Sequence, residues 1–445
     1  MSGDFASRRV VMMGLGRFGG GIGVTQWLAR QGADVTVTDR ADEPVLADSI
    51  ARLADLGIAF RCGRHDPADL DGADLLVVSP AVDKRKSEFV GLAQRRGIPI
   101  TSEMNLFFER CRGRIVGVTG TTGKSTTCAM LHAVLHAADE KGDLAGRSTA
   151  SAVGQPRAGK VWLGGNIGRS LLGELEQIGT DDIVVLELSS FQLEDLAALR
   201  RSPPLAIMTN VSPKHLDRHG TYADYLACKL NICRFQRAGD VVVLGSDDPQ
   251  LLGAVTEVTD KTGARVVAAG DDDGLVLKVL GAHNRRNAAV AAHTAALLGV
   301  GRGTVLETLA DFGGLPHRLQ FVRRVGGADY YNDSKATSPK AVAAALRAFD
   351  RAVILIAGGQ DRPESWEPVL ADREHKIKHA ICTGENARVL AEILGGTTVA
   401  TLDEAVAEAR RRAASGDVVL FSPGSPSYDR YVNYEARGEA FIRLV

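Results

Sequence analysis

The chain has 445 residues, enough at roughly 150 residues per domain for about three domains with buried cores. Hydrophobic residues make up 45% and charged residues 24%, and 53 basic side chains offset 54 acidic ones to leave a net charge of −1. That balance excludes a basic nucleic-acid coat, an acidic tail and a disordered chain.

In chain order, a first strand over Val10–Met13 runs into Gly14-Leu-Gly16-Arg-Phe-Gly19, then a helical stretch, then a strand over Asp34–Thr38 that ends at Asp39. Strand, glycine turn, helix, strand and acid form the unit that seats a nucleotide phosphate at a helix N-terminus. Leu75–Val78, closed by Ser79-Pro80, continues the alternation. A charged joint near Arg110–Arg114 marks a domain boundary. The strand Ile115–Val118 then feeds Gly120-Thr121-Thr122-Gly123-Lys124-Ser125-Thr126 and a second helix. Residues 137–160, rich in small and charged side chains, read as an exposed loop. Further strands are expected at Ile183–Leu186, Leu205–Met208 and Val241–Leu244, and an Ala-rich helix from Asn284 to Leu298. Gly313-Gly-Leu-Pro316 makes a hinge into a last unit with strands at Ala352–Ile356, Ala380–Cys382 and Val418–Phe421. Short apolar strands alternating with helical periods predict an α/β protein. Its three expected domains are residues 1–112, 113–315 and 316–445: Rossmann-like, P-loop ATPase-like with a parallel sheet, and again Rossmann-like.

Six scattered cysteines, with no C-x-x-C pair and no zinc spacing, fit reduced thiols and a cytoplasmic protein. The apolar run after the first arginines breaks at Gly14, so no signal peptide is expected. No run of about 18 apolar residues offers a membrane span.

The second turn carries the sharpest chemistry. Small residues after a strand let backbone N–H groups wrap phosphate oxygens, Lys124 neutralises them, and the Ser125 hydroxyl can reach Mg²⁺. The strict pattern would place glycine at 118, where Val118 stands. The first turn, with Asp39 twenty residues beyond Gly19, fits an NAD site by spacing. By itself it leaves an oxidoreductase, a nucleotide-sugar binder and a structural turn open. Glu187, at the carboxyl end of its strand, is placed as a Mg²⁺ ligand; the alternative is a surface glutamate. His215, Asp217 and His219 lie close enough for a metal or phosphate role, whereas Lys229 reads as an ordinary solvated helix lysine. Leu315-Pro-His317-Arg318 and Asn332-Asp333-Ser-Lys335-Ala-Thr337 suit a clamp on a transferring phosphoryl group, or else surface salt bridges.

Taken in order, Gly120-Thr-Thr-Gly-Lys-Ser125, Gly165-Asn166-Ile-Gly168, Glu187-Leu-Ser-Ser-Phe-Gln-Leu-Glu194, His215-Leu-Asp-Arg-His219, His283-Asn284-Arg-Arg-Asn287 and Asn332-Asp-Ser-Lys-Ala-Thr337 resemble the ATP-dependent Mur ligases. The Leu188-Ser-Ser-Phe-Gln-Leu-Glu194 and Asn332-Asp-Ser-Lys-Ala-Thr337 strings, with Asn433-Tyr434-Glu435-Ala-Arg437-Gly438, are most similar to the branch that adds D-glutamate. The resemblance implies ATP-driven amide formation between UDP-N-acetylmuramoyl-L-alanine and D-glutamate through an acyl phosphate, by a protein that is expected to be monomeric. It implies that Lys124 and its loop hold the phosphates, that Ser125 and Glu187 bind one Mg²⁺, and that His215 and a CO₂-carbamylated Lys229 serve a second. Asn284 and Asn287 are then assigned to the adenine, Asn166 to the substrate, and His317, Arg318, Asp333 and Lys335 to ATP from the third domain. Gly14, Gly16, Asp39, Arg40 and Ser79 fall to the UDP group, and Thr337, Arg362, Ser427, Tyr428 and Tyr434 to D-glutamate. A Mur ligase with another acceptor, a folylpolyglutamate synthetase relative and a non-catalytic nucleotide-binding protein stand as rivals.

Overall fold

A computed structural model describes residues 5–16, 19–143, 159–167, 170–279 and 281–445. Two compact units make up the chain: Met1–Asp272 with Arg286–Val305, and Asp273–Arg285 with Leu306–Val445. Among the described residues the first unit holds two parallel sheets and the second holds one mixed sheet.

The first sheet comprises β1 (Arg9–Met13), β2 (Asp34–Asp39), β3 (Ala59–Cys62), β4 (Leu75–Val78) and β5 (Ile100–Thr101), in the order β3-β2-β1-β4-β5. β1 and β4 are buried almost throughout because helices cover both faces, as a parallel sheet requires. Chain order reverses between β1 and β4, so a crevice opens beyond their carboxyl ends. The second sheet comprises β6 (Arg114–Thr119), β7 (Val161–Gly165), β8 (Ile183–Glu187), β9 (Leu205–Met208), β10 (Val241–Leu244) and β11 (Arg265–Ala268), in the order β11-β10-β9-β6-β8-β7. β6 lies between β8 and β9, which brings the ends of three strands around the turn at Gly120. One apolar core, from Phe5 and Val10 to Leu244 and Val255, runs through both sheets of this unit.

The third sheet comprises β12 (Gln320–Val325), β13 (Ala328–Asn332), β14 (Val353–Ala357), β15 (Ile377–Cys382), β16 (Thr397–Thr398) and β17 (Val418–Phe421), in the order β12-β13-β17-β14-β15-β16. β12 pairs antiparallel with β13 through Gly326 and Gly327, whose φ angles of 59° and 82° suit a two-residue hairpin.

The loop expected over 137–160 begins later than the composition implies. The helix Lys124–Glu140 continues because Val134, Leu135 and Ala138 prolong its buried face, and β7 resumes at Val161. Residues 144–158 of that expected loop, like Gly168 of the Gly165-Asn166-Ile-Gly168 string, lie outside the described residues. No helix among the described residues is long and apolar enough to cross a membrane.

Candidate active site

At the end of β6 the chain needs conformations that only glycine supplies. Gly120 has φ 150°, and a Cβ there would meet Thr209 Oγ1 at 1.9 Å. Gly123, at φ 82°, would place a Cβ 2.4 Å from Asn287 Oδ1. The turn is moored to the segment just after β9: Thr121 N–H donates to Asn210 O at 2.9 Å and Thr122 N–H to Asn210 Oδ1 at 3.1 Å. Thr121 Oγ1 is 3.1 Å from the Tyr225 hydroxyl. Lys124 opens the following helix, and its ammonium donates to Gly120 O and Thr121 O at 2.9 and 3.2 Å. A cation and a helix N-terminus thus face one turn of backbone amides, an arrangement that receives phosphate oxygens.

Glu187 is the last residue of β8 and is 2% exposed, which excludes the surface-glutamate reading. Its carboxylate accepts from Ser125 Oγ at 2.6 Å and from Asn166 Nδ2 at 2.7 Å. Two hard oxygen ligands meet there, the Ser125 hydroxyl and the Glu187 carboxylate, while the Asn166 N–H steadies that carboxylate, and this donor chemistry fits Mg²⁺.

Lys229 corrects the sequence reading most sharply. Instead of a solvated helix lysine it is a buried one, 2% exposed, whose ammonium donates to Thr119 Oγ1 at 2.9 Å and Gly120 O at 3.0 Å from beneath the turn. Loss of water, and then the charge of Lys124, hold its pKa well below the ordinary lysine range. His215 stands exposed at a left-handed φ of 54° before the short helix Leu216–His219, with its ring 5.3 Å from Phe191. Partial burial and the Lys214 charge lower its pKa. His219 is different: it is 2% exposed and lies 3.0 Å from Ser190 Oγ, packed rather than presented.

The first turn gathers its own predicted residues. Gly14 N–H donates to Thr38 O, and a Cβ on Gly14 would lie 2.9 Å from that of Ser79. Asp39 accepts from Gly16 N–H at 3.1 Å and Ala41 N–H at 2.9 Å, so both its oxygens brace the turn; Arg40 is exposed beside it.

Profiles of three protein families match this chain: "Mur ligase MurD-like, N-terminal domain" over residues 8–102, "Mur ligase middle domain" over 118–295 and "Mur ligase, glutamate ligase domain" over 317–424. A UDP-N-acetylmuramoylalanine--D-glutamate ligase of Geotalea uraniireducens is 35% identical over 472 residues, spanning 99% of this chain and 98% of that protein. One of the same name from Roseiflexus sp. is 36% identical over 484 residues, spanning 99% of each. The chain belongs to the Mur ligase family. The fold agrees with that of a UDP-N-acetylmuramate-alanine ligase of Thermotoga maritima, with a TM-score of 0.56 at 20% identity over 98% of each chain.

In this Mur ligase the remaining predicted residues lie as follows. Asn287 is buried against Gly123, and Asn284 is on the same helix, Ala282–Leu297. In the second unit His317, 5% exposed and at φ 62°, has Nδ1 2.9 Å from Asn332 Nδ2, while a Cβ on Gly438 would meet that ring nitrogen at 2.1 Å. Asp333 accepts from Ser422 Oγ at 2.8 Å and Leu319 N–H at 3.1 Å, and burial pushes its carboxyl up to about 7. The Lys335 ammonium lies 4.9 Å from the centre of the Tyr434 ring. Arg318, Thr337, Arg362 and Tyr428 are exposed, whereas Ser427 is buried.

Two arginines escaped the sequence reading. Arg218 donates to the carbonyls of Pro80, Ala81 and Val82 at 3.1, 3.1 and 2.9 Å, fastening the loop after Ser79 to the segment that carries His215. Arg437 is buried and joins Ser334 to Ser425 by donating to Ser334 Oγ, Ser334 O and Ser425 O. Both stood inside recognised strings, but nothing local marks an arginine as the tie between distant loops.

Proposed function

We propose that this enzyme joins D-glutamate to UDP-N-acetylmuramoyl-L-alanine, forming ADP and phosphate, in the cytoplasmic assembly of peptidoglycan precursors. A carboxylate has no adequate leaving group, so it is phosphorylated at the expense of ATP. The D-glutamate amine then attacks the acyl phosphate carbon, and phosphate departs from the tetrahedral adduct. Lys124 and residues 120–126 bind and orient the phosphates, and Ser125 and Glu187 hold Mg²⁺, which supplies charge neutralisation where negative charge accumulates. Asn166 and the turn bearing Gly14, Gly16, Asp39, Arg40 and Ser79 are assigned to the UDP substrate. Asn284, Asn287, His317, Arg318, Asp333 and Lys335 are assigned to the nucleotide, and Thr337, Arg362, Ser427, Tyr428 and Tyr434 to D-glutamate. Domain limits of 1–112, 113–315 and 316–445 and a monomeric state belong to the same reading.

The observation that carries the reaction type is the buried Lys229 amine under the phosphate turn, 2.9 Å from Thr119 Oγ1. A lysine whose pKa is depressed has a neutral amine available, and a neutral amine adds CO₂, losing one proton to give an anionic carbamate. Carbamylation converts a side chain that repels a metal into an oxygen ligand, which would join His215. Mass spectrometry under CO₂ tests this directly.

The defining assay is phosphate release with Mg²⁺, ATP and UDP-N-acetylmuramoyl-L-alanine, with D-glutamate compared against L-alanine, L-glutamate, L-lysine and meso-diaminopimelate. Release that depends on D-glutamate alone is expected. Release with another acceptor would retain the ligase and reassign its specificity, and silence with all five would return the chain to a binding role.

A further inference from the structure

Beside the phosphate turn lies a group of side chains that amide ligation leaves unused. His219 closes the helix Leu216–His219 and is 2% exposed. Its Nε2 lies 3.0 Å from Ser190 Oγ, while its Nδ1 is buried without a hydrogen-bond partner. A neutral imidazole has one N–H and one lone pair, so with the proton on Nε2 toward Ser190 the lone pair at Nδ1 is left with no donor to meet it. Glu194, on the helix Ser190–Leu199, and Cys228, on the helix Tyr222–Arg234, complete the group. One ligand atom from each of the three lies within 4.8 Å of the others. Successive helical side chains diverge by about 100°, so Cys228 can face Glu194 and His219 while its neighbour Lys229 faces Thr119.

We propose that Glu194, His219 and Cys228 bind a borderline-soft divalent cation of the Zn²⁺ class, at a site separate from Ser125 and Glu187. One oxygen, one imidazole nitrogen and one thiolate form a donor set that Zn²⁺ and Co²⁺ accept and Mg²⁺ does not. Bond lengths of about 2.0–2.3 Å put tetrahedral ligand atoms about 3.3–3.8 Å apart, so the side chains need to close by roughly 1 Å, with water in the fourth position. Arg85 and Arg218 stand 3.7 and 3.9 Å from the Glu194 carboxylate, beyond hydrogen-bonding distance. Each has firmer partners elsewhere, Arg85 at Arg218 O and Arg218 at the carbonyls of residues 80–82, so Glu194 can turn to the cation without undoing them. Binding replaces the thiol proton by the cation and releases one proton per ion.

The test uses the full chain, metal-free, titrated with Co²⁺ in excess Mg²⁺. One equivalent is expected to give a thiolate-to-cobalt charge-transfer band and the visible bands of a tetrahedral site, both abolished by Zn²⁺. Cys228→Ser should remove the charge-transfer band, and Glu194→Gln should weaken Co²⁺ binding by about 10²-fold. A band of full amplitude in Cys228→Ser would overturn the proposal, because Cys62 and Cys111, the other partly exposed thiols, remain in that variant. A second measurement needs no variant: Zn²⁺ should slow alkylation of Cys228 by iodoacetamide, read by peptide mass spectrometry, and an unchanged rate would overturn it equally.

Discussion

The two glycine turns of the first unit are built alike and equipped differently. Each follows a buried parallel strand, each holds glycines at positive φ, and each delivers the chain into a helix, Gly20–Arg30 in one case and Lys124–Glu140 in the other. At the first turn the acid that spacing offers to a ribose is occupied, with Asp39 holding Gly16 N–H and Ala41 N–H. At the second, the helix opens on Lys124 and Ser125, Glu187 arrives from β8, and Lys229 enters from below. Strand, glycine and helix therefore specify a place that receives an anion, and the chemistry done there is decided by side chains from other strands and helices.

Removing the cation at the second turn should show the contrast most strongly. Lys124→Ala should lower kcat/KM for phosphate release by about 10³-fold, as expected when a charge facing the transferring group is lost. Lys124→Arg should recover little, since a planar guanidinium does not replace a compact ammonium. Lys229→Ala should cost about 10²-fold and regain part of that loss with added small carboxylic acids; no rescue would set aside the carbamate.

A pair of alanine substitutions compares the turns directly. Both Gly123 and Gly16 sit at positive φ, 82° and 64°, so each alanine bears roughly 1–2 kcal/mol of backbone strain. Only Gly123→Ala also drives a Cβ to 2.4 Å from Asn287, while nothing lies within 4 Å of a Cβ at Gly16. Gly123→Ala is therefore expected to raise the KM for ATP by about tenfold or more, and Gly16→Ala to lower thermal stability modestly and leave the KM for ATP alone. Equal effects on that KM would erase the distinction.

The smallest effect concerns pH at the first turn. Glu103 has a carboxyl oxygen 3.2 Å from the position of a Cβ on Gly20, and desolvation, opposed by a hydrogen bond with Ser170, raises its pKa to about 7. A carboxyl that holds its proton more tightly when folded stabilises fully below its unfolded pKa, and that contribution is lost as pH rises through about 7. The melting temperature should thus fall between about pH 5 and 8, and Glu103→Gln should flatten the fall. A slope that the substitution leaves unchanged would exonerate Glu103.

The strands around both turns, the two glycine signatures and the ordered strings were legible in the amino-acid sequence because each is a local pattern. Burial of a strand shows as a short apolar run, and a positive φ shows as glycine where the chain turns. The length of the helix after Lys124 was harder to read, because its buried face runs to Ala138 through small residues that also suit a loop. Other features became visible only in three dimensions. Lys229 lies 110 residues from Thr119, and nothing around it in the helix Tyr222–Arg234 distinguishes it from a solvated lysine until that helix packs beneath the turn. Arg218 likewise reaches carbonyls more than a hundred residues earlier. Sequence alone determined the family, the elements and the kinds of side chain available for chemistry, because backbone preference and hydrophobic period are properties of neighbours. Tertiary structure decided which of those side chains lose water and which charges they meet, because desolvation and electrostatic contact are set by residues distant in the chain.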